Sequence, residues 1–202
     1  MELVVDWDGT VTERDTLHMV MERFGDLEVF RALEADIARG RPLNEVIAVE
    51  LATVTAPGEE VIGWLLEHVR VRPGLRELVA EHDPLIVSAG FHELIGPILA
   101  RERIRARVVA NHVEPHPAGW RSTFCERPVC TVCGEPCKRP VTASLGPFAY
   151  VGDGVSDRCV SLAAGRVFAR AGLADWLDAR GAPFDRFTDL HDVRRALARL
   201  PG

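Results

Sequence analysis

Two aspartates near the N-terminus, Asp6 and Asp8, are spaced so that their carboxylates could act together. They follow an apolar run at residues 3–5, which predicts a buried strand. Residues two apart in a strand share a face, while Trp7 between them points to the other face. Two such carboxylates repel each other unless a divalent cation or a raised pKa reduces their charge. Mg²⁺ suits the pair, because it binds one or two carboxylates together with waters and a substrate phosphate.

Polar residues and glycines also follow two later apolar runs. Ser88 and Ala89 come after residues 84–87, and Asp153 comes after residues 148–151. In an open parallel sheet, ligands bind beyond the carboxyl ends of the strands. Carboxylate oxygens would bind a hard cation there, and glycines let backbone N–H groups approach an anion. The pattern predicts a cation and anion site; the alternative is that these aspartates are helix N-caps and turn residues.

The alternation of strands and helices predicts an α/β fold with a parallel sheet. Strands are predicted at residues 3–8, 84–87, 106–110, 148–151 and 167–169. Four helical segments within residues 15–69 follow the first strand with no strand between them, which predicts an inserted helical cap. Residues 1–14 and 70–202 form the predicted core. Residues 112–124 are expected to be irregular or hairpin-like, and residues 190–200 to form a final amphipathic helix.

The composition excludes several classes of protein. The chain has 202 residues, with 24 basic and 30 acidic side chains and a formal net charge of −6. Without a basic patch it is a poor candidate for nucleic-acid binding, and no stretch approaches the roughly 18 apolar residues of a membrane span. The N-terminus lacks the pattern of an export signal. Because the chain has five cysteines and no export signal is recognised, we expect a cytoplasmic protein whose cysteines are reduced.

Lys138 is the only lysine; the other 23 basic residues are arginines. An ammonium is a compact point charge and a guanidinium is a planar fork, so the two do not substitute for each other at a site of defined geometry. Lys138 is therefore either a functional cation or a surface lysine that has survived by chance. Composition alone favours chance.

Four of the five cysteines lie close together in the sequence: Cys125, Cys130, Cys133 and Cys137. Four thiolates can hold a structural zinc, and the Cys-x2-Cys pair in this set resembles half of a zinc knuckle. The spacing is compressed for a standard finger, and His112 or His116 could replace one cysteine. The alternatives are free thiols or a redox-sensitive disulfide. Cys159 is expected to be a small core residue.

Four ordered motifs resemble those of the haloacid dehalogenase (HAD) superfamily: Asp6-Trp7-Asp8-Gly9-Thr10, Ser88, Lys138 and Gly152-Asp153-Gly154-Val155-Ser156-Asp157. The resemblance implies a Rossmann-like doubly wound parallel sheet. The position of the helical insert is similar to the cap of the phosphoserine phosphatase-like branch. A cysteine-rich stretch ending in Cys-Lys resembles that of methionine-salvage phosphatases, which act on a methylthio-diketopentyl or enol phosphate. Phosphoethanolamine and phosphocholine phosphatases are similar in this stretch too.

The resemblance implies a role for each motif residue. Asp6 would be the nucleophile that forms an aspartyl-phosphate, and Asp8 would be general acid and then general base. The hydroxyl of Ser88 and the backbone N–H of Ala89 would hold phosphate oxygens. Lys138 would neutralise the phosphate and the nucleophile. The resemblance therefore favours a functional lysine over one that has survived by chance.

The resemblance also implies a metal and a substrate. Asp6, the backbone carbonyl of Asp8 and Asp153 would bind Mg²⁺, while Asp157 would support Lys138 or the metal ligands. The expected function is Mg²⁺-dependent hydrolysis of a small phosphorylated metabolite. The alternatives are a phosphotransferase with the same aspartyl-phosphate and a non-catalytic, zinc-stabilised binding module. No pattern indicates an oligomeric state.

Substrate specificity is expected to lie in the cap. Asp15 stands where phosphoserine phosphatases have a glutamate for the substrate amine, but it is one methylene shorter, and it could instead cap the first cap helix. His92 could line the pocket or merely begin a helix. Arg39, Arg41 or Arg70 could meet a substrate carboxylate.

Overall fold

A computed structural model describes residues 1–199 of the chain. Its strands are β1 (Glu2–Val5), β2 (Leu85–Phe91), β3 (Arg107–Glu114), β4 (Arg121–Thr123), β5 (Phe148–Gly152), β6 (Arg166–Ala169) and β7 (Asp185–Arg186). Its α-helices are α1 (Thr16–Phe24), α2 (Leu27–Ala38), α3 (Leu43–Leu51), α4 (Gly58–His68), α5 (Leu75–His82), α6 (His92–Arg101), α7 (Arg158–Ser161), α8 (Ala171–Asp178) and α9 (Leu190–Leu197). Short 3-10 helices at Arg139–Thr142 and Val155–Asp157 flank β5.

The described strands form one sheet in the order β4-β3-β2-β1-β5-β6-β7. β4 is antiparallel to β3, and the other neighbouring strands are parallel. From β1 the chain adds β2 and β3 on one side and then crosses to add β5 and β6 on the other. This change of direction lies between β1 and β5, the place where open α/β sheets bind ligands. The three strands that carry the predicted motifs are direct neighbours.

Helices cover both faces of the sheet, as a doubly wound fold requires. Leu3 and Val5 of β1 pack in a core with side chains from α5, α6 and α9. Val4 points to the opposite face and packs with Tyr150 and Val160. Each buried aliphatic side chain of this kind contributes roughly 1.5–3 kcal/mol relative to its exposed state. The predicted α/β class and the parallel sheet are confirmed.

Helices α1 to α4 lie between β1 and β2 in the chain, where the sequence predicts a cap. Asp15 is the N-cap of α1, and its carboxylate accepts the backbone N–H of His18 at 2.9 Å. Two short segments connect these helices to the sheet. Thr12 and Val71 form an antiparallel bridge between them, just outside the predicted cap limits of 15–69.

Several elements end at different residues from those predicted. β2 continues past Val87 to Phe91, and the region 112–124 does contain a hairpin between β3 and β4. The sequence patterns did not indicate α8 or the two-residue strand β7. α9 ends at Leu197, and Leu200, its predicted last residue, lies outside the described residues. Within residues 1–199, no helix is both long enough and apolar enough to cross a membrane.

Candidate active site

Lys138 lies buried between two aspartates at the carboxyl edge of the sheet. Its ammonium contacts Oδ1 of Asp6 and lies 2.7 Å from Oδ1 of Asp157. The Lys138 side chain is 1% exposed, and those of Asp6 and Asp157 are 5% and 0% exposed. A charge without a partner would be strongly unfavourable here, because burial removes its water. The explanation of Lys138 as a chance surface lysine is therefore wrong.

Asp157 is held by several hydrogen bonds besides that from Lys138. Its Oδ2 accepts the backbone N–H groups of Asp153 at 2.8 Å and Gly154 at 3.0 Å, and the hydroxyl of Tyr150 donates to Oδ1 at 2.6 Å. Burial raises the pKa of Asp157, but the charge of Lys138 and the N–H of Gly154 outweigh burial and hold this pKa below its usual range. Asp157 is thus a carboxylate that fixes Lys138 in place.

Asp8 lies in the loop after β1 and lines a cavity above the sheet edge. Its Oδ1 accepts the backbone N–H of Thr16 at 2.8 Å and also contacts the Thr16 hydroxyl, and the hydroxyl of Ser88 is 3.5 Å from Oδ2. Burial, followed by the charge of Asp15, raises the pKa of Asp8 to about 7. A carboxyl group with this pKa can both give and take a proton near neutral pH.

Asp153 approaches the loop after β1 from the end of β5. The hydroxyl of Thr10 donates to its Oδ1 at 3.0 Å. Gly9 has a φ of +72°, and a Cβ at this position would overlap the carboxylate of Asp153. Glycine tolerates that backbone conformation and adds no side chain. Gly9 therefore allows the two loops to meet.

The carboxylates at this edge fit a divalent cation. One oxygen from each of Asp6, Asp153 and Asp157 lies within 4.8 Å of the other two. Burial and the charge of Asp157 raise the pKa of Asp6 well above its usual value, and burial raises that of Asp153 to about 6. Lys138 alone does not balance three carboxylates, and a hard cation with oxygen ligands would. Because Asp157 already accepts two backbone N–H groups, Asp6 and Asp153 are the pair that suits Mg²⁺.

Two arginines hold the carbonyl groups of the loop after β1. Arg72 is buried and donates to the carbonyls of Gly9, Thr10 and Thr12. Arg170 donates to the carbonyl of Gly9 at 2.8 Å. Arg72 lies between α4 and α5, so this side chain ties the loop after β1 to the segment through which the chain leaves the helices α1 to α4.

The cavity has a volume of about 680 Å³ and lies between the sheet edge and the helices α1 to α3. On the sheet side it is lined by Asp6, Asp8 and Asp153. On the helix side it has an apolar wall formed by Leu17, Ile37, Leu43 and Ile47. Among the described residues, two arginines line the cavity, Arg158 and Arg170, and both lie outside the helices α1 to α3, whereas His18 lines it from α1. The predicted carboxylate-binding residues Arg39, Arg41 and Arg70 are not among the lining residues.

The predicted phosphate-binding residues differ in their access to the cavity. Ala89 lines it. Ser88 is fully buried, and its Oγ accepts the backbone N–H of Gly90 at 2.8 Å while facing Asp8. Asp15 both lines the cavity and caps α1, so its two interpretations are compatible.

His92 does not line the cavity, which corrects its prediction as a specificity residue. Its ring stacks on that of His112 with centroids 4.7 Å apart, and its Nε2 accepts the backbone N–H of Ala110. His92 is the first residue of α6, and the start of this helix directs its side chain toward β3. Burial lowers the pKa of His92.

Four thiols converge beside Lys138, but they are not the predicted four. The thiol cluster consists of Cys130, Cys133, Cys137 and Cys159, whose sulfurs all lie within 4.8 Å of one another. Cys125 lies apart, because its thiol donates to the carbonyl of Ala110 at 2.7 Å and its backbone N–H to Asn111. Cys125 is therefore not part of the cluster, and α7 brings Cys159 back to the cysteine-rich loop instead. The two histidines considered as replacement ligands are not part of the cluster. His112 is hydrogen-bonded to Glu93, and His116 to Arg121.

Sequence reasoning missed several residues that support the site. Tyr150 lies in an apolar strand, where only the need of a buried hydroxyl for a partner could have indicated its contact with Asp157. Thr16 follows the N-cap of α1, and nothing in the sequence links it to Asp8. Arg72 and Arg170 are two among many arginines, so residue type gave no signal of their contacts.

Comparison with known proteins shows which family this chain resembles. The model of the haloacid dehalogenase-like hydrolase family matches residues 3–161. The chain is 31% identical to the 2-hydroxy-3-keto-5-methylthiopentenyl-1-phosphate phosphatase of Geobacillus thermodenitrificans (strain NG80-2), covering 94% of this chain and 93% of that protein. It is 30% identical to the protein of the same name from Geobacillus kaustophilus (strain HTA426), with coverage of 98% and 96%.

Solved structures share the fold. Phosphoserine phosphatase from T. onnurineus superposes with a TM-score of 0.72 at 17% identity, covering 99% of this chain and 95% of that one. A phospho-aspartyl intermediate analogue of phosphoserine phosphatase gives a TM-score of 0.67 at 15% identity, with coverage of 96% and 97%. Because the family match spans most of the chain and the relatives align over nearly their whole length, this chain belongs to the haloacid dehalogenase-like hydrolases.

Proposed function

We propose that this protein is a Mg²⁺-dependent phosphatase that hydrolyses a small phosphate monoester through an aspartyl-phosphate on Asp6. One observation carries the proposal: Asp6, paired with Lys138, and Asp8, with a pKa near 7, line the same cavity at the carboxyl edge of the sheet. Membership of the hydrolase family and the phosphatase names of the relatives support the same activity.

The proposed reaction has two displacements at phosphorus. In the first, a carboxylate oxygen of Asp6 bonds to phosphorus while the bond to the ester oxygen breaks, and Asp8 gives its proton to the leaving alcohol. In the second, Asp8 takes a proton from a water molecule as that water attacks phosphorus and releases phosphate from Asp6. Asp8 is then protonated again, as it was before the first step, and the enzyme is ready for another substrate molecule.

The remaining residues position and neutralise charge. Asp6, Asp153 and the backbone carbonyl of Asp8 would hold Mg²⁺, which would supply positive charge to the phosphate oxygens. Lys138 places a second positive charge beside Asp6, and the backbone N–H of Ala89 offers a donor to the phosphate. Phosphoryl transfer places little covalent demand on a protein, so such positioning supplies most of the rate enhancement.

We propose that the substrate is a phosphate ester with an apolar tail, such as 2-hydroxy-3-keto-5-methylthiopentenyl-1-phosphate, which is named for the relatives. The apolar wall suits such a tail, and burying it there would contribute about 25 cal/mol per Å². Phosphoserine suits the cavity less well. Among the described lining residues, those contributed by the helices α1 to α3 include no arginine or lysine for its carboxylate.

Phosphate release from a panel of esters tests this function. The panel contains 2-hydroxy-3-keto-5-methylthiopentenyl-1-phosphate, phosphoserine and a chromogenic aryl phosphate, each with Mg²⁺ and with a chelator. We expect activity that requires Mg²⁺ and is abolished in Asp6→Asn, while Asp178→Asn, a surface change, retains it. Activity in Asp6→Asn would exclude the aspartyl-phosphate. Added alcohols distinguish hydrolysis from phosphotransfer, since a phosphotransferase would yield a new phosphate ester.

A reducing compartment, which we propose is the cytoplasm, suits the chain. All five cysteines are free thiols, and the proposed reaction uses none of them. A metal bound by these thiols would be structural, in addition to the catalytic Mg²⁺.

A further inference from the structure

The thiol cluster has the spacing of a metal site. The sulfurs of Cys130 and Cys159 are 3.7 Å apart, far beyond the roughly 2.05 Å of a disulfide bond. A tetrahedral zinc with Zn–S bonds of about 2.3 Å holds its sulfurs about 3.8 Å apart. The Cys130–Cys159 separation matches this value, and all four sulfurs lie within 4.8 Å of one another.

The turn that carries the first two thiols has the form of a ligand loop. The backbone N–H of Cys130 donates to the carbonyl of Glu135 at 3.0 Å, and that of Gly134 donates to the carbonyl of Cys130 at 2.8 Å. Gly134 has a φ of +75° in open surroundings, so the turn itself favours glycine there. The loop is thus a tight turn that holds Cys130 and Cys133 close together.

We infer that the thiol cluster binds one zinc ion in a tetrahedral, four-thiolate structural site. The ligand set differs from the one that sequence spacing suggests, because Cys159 of α7 takes the place of Cys125. Zinc binds thiolates, so each coordinated thiol gives up its proton to solvent when the ion binds. Four protein ligands leave no open position for a substrate or water, which makes the site structural rather than catalytic.

The zinc site joins the two segments that carry the buried ion pair. Cys137 directly precedes Lys138, and Cys159 follows Asp157 by two residues. One bound ion therefore holds these two segments together, beside the point where the ammonium of Lys138 lies 2.7 Å from the carboxylate of Asp157. Cys137 and Cys159 are therefore positioning residues for Lys138. This role rests on the proposed phosphatase function, but the binding of the metal does not depend on that function.

Cobalt titration of the full chain tests the site. Reduced protein freed of metal is titrated with Co²⁺, whose tetrahedral thiolate complexes absorb strongly in the visible range, and then with Zn²⁺. We expect the four-thiolate spectrum to reach its maximum at one equivalent of Co²⁺ and to disappear when Zn²⁺ is added. Cys133→Ser and Cys159→Ser should lose that spectrum, and Cys125→Ser, the matched control, should keep it. Cys133 is exposed, so its replacement leaves the core intact.

Three results would overturn the inference. The first is reduced wild-type protein that shows no four-thiolate spectrum when Co²⁺ is added. The second is an unchanged spectrum in Cys159→Ser with a lost spectrum in Cys125→Ser. The third is a disulfide within the thiol cluster that persists in protein isolated from reducing cells. Zinc should also raise the unfolding temperature of wild type and Cys125→Ser, but not that of Cys133→Ser.

Kinetics test the link to Lys138 separately. In Cys133→Ser we expect kcat to fall while KM for the phosphate ester changes little, because Lys138 is displaced but the substrate cavity is not. An unchanged kcat would remove the positioning role and leave the zinc site standing. If wild-type protein has no phosphatase activity, the proposed function fails, while the cobalt spectrum still decides whether the site exists.

Discussion

The ammonium of Lys138 lies 2.7 Å from the carboxylate of Asp157, where the segment after the cysteine-rich loop meets the segment after β5. Both side chains are almost completely buried. Asp157 also accepts two backbone N–H groups, so its charge is balanced within the fold. The remaining negative charge, on Asp6 and Asp153, faces the cavity and is available to a metal and a phosphate.

Replacing Lys138 with methionine removes this cation at similar side-chain length. Asp6 and Asp157 are then buried without a cationic partner, and we expect the free energy of unfolding to fall by about 3–5 kcal/mol. Urea denaturation measures the loss. The double variant Asp6→Asn/Lys138→Met should lose less than the sum of its two single variants, since the charges are coupled. Additive losses would show that the ion pair contributes no coupling.

Replacing Asp8 with asparagine should lower kcat by about 10²–10⁴-fold for an alkyl phosphate, because the leaving alkoxide then receives no proton. An aryl phosphate with an acidic leaving group needs less protonation, so its first step should be much less affected. Burst kinetics with the aryl ester separate formation of the aspartyl-phosphate from its hydrolysis. Equal losses of the first step for both esters would argue against Asp8 as the acid.

Magnesium should stabilise the protein more at pH 7.5 than at pH 5. Burial raises the pKa of Asp153 to about 6, above its unfolded value of about 3.9, and the pKa of Asp6 is also raised. The metal-free folded state therefore retains protons that the unfolded chain has lost, and its stability falls as pH rises from about 4 through 6. Mg²⁺ competes with these protons.

Thermal unfolding with Mg²⁺ and with chelator at the two pH values measures this effect. Asp153→Asn removes one of the two groups, and its Mg²⁺-induced stabilisation should be small at both pH values. An equal Mg²⁺ effect at both pH values in the wild-type protein would mean that Asp6 and Asp153 do not hold the ion.

Gly9 and Gly154 provide a matched pair of substitutions. A Cβ at Gly9 would overlap the carboxylate of Asp153, and the φ of +72° disfavours any other residue. A Cβ at Gly154 would meet no atom within 4 Å. We therefore expect Gly9→Ala to weaken Mg²⁺ binding at least about tenfold and Gly154→Ala to change it little. Mg²⁺ titration of phosphatase activity measures both, and similar affinities would remove this role for Gly9.

The sequence predicts the central sheet well because three neighbouring strands carry distinct signals. Each of these strands has an apolar run that is followed by or contains a polar motif residue: Asp6, Ser88 or Asp153. Parallel strands bring these residues together at the carboxyl edge of the sheet. α8 was missed although Leu173 and Leu177 have helical spacing, since no capping residue precedes them. β7 has two residues and no pattern of its own.

Contacts between distant segments could not be predicted in the same way. Cys159 joins the thiol cluster only because α7 folds back beside the cysteine-rich loop, and spacing along the chain favoured Cys125 instead. His92 follows a motif residue, yet the start of α6 directs its ring to His112. In each case tertiary packing, rather than residue type, decided the position of the side chain.

Leu43 and Val49 of α3 test whether the apolar wall recognises the substrate. Leu43 lines the cavity, whereas Val49 is 39% exposed and is not a lining residue. If an apolar tail packs on this wall, Leu43→Ser should raise KM for the methylthio-substituted ester about tenfold, because a lost apolar contact of this size weakens binding by 1–3 kcal/mol. KM for a short, polar phosphate ester should change little, and Val49→Ser should leave both values unchanged. Equal increases in KM for both esters would indicate that Leu43 shapes the cavity without contacting the tail.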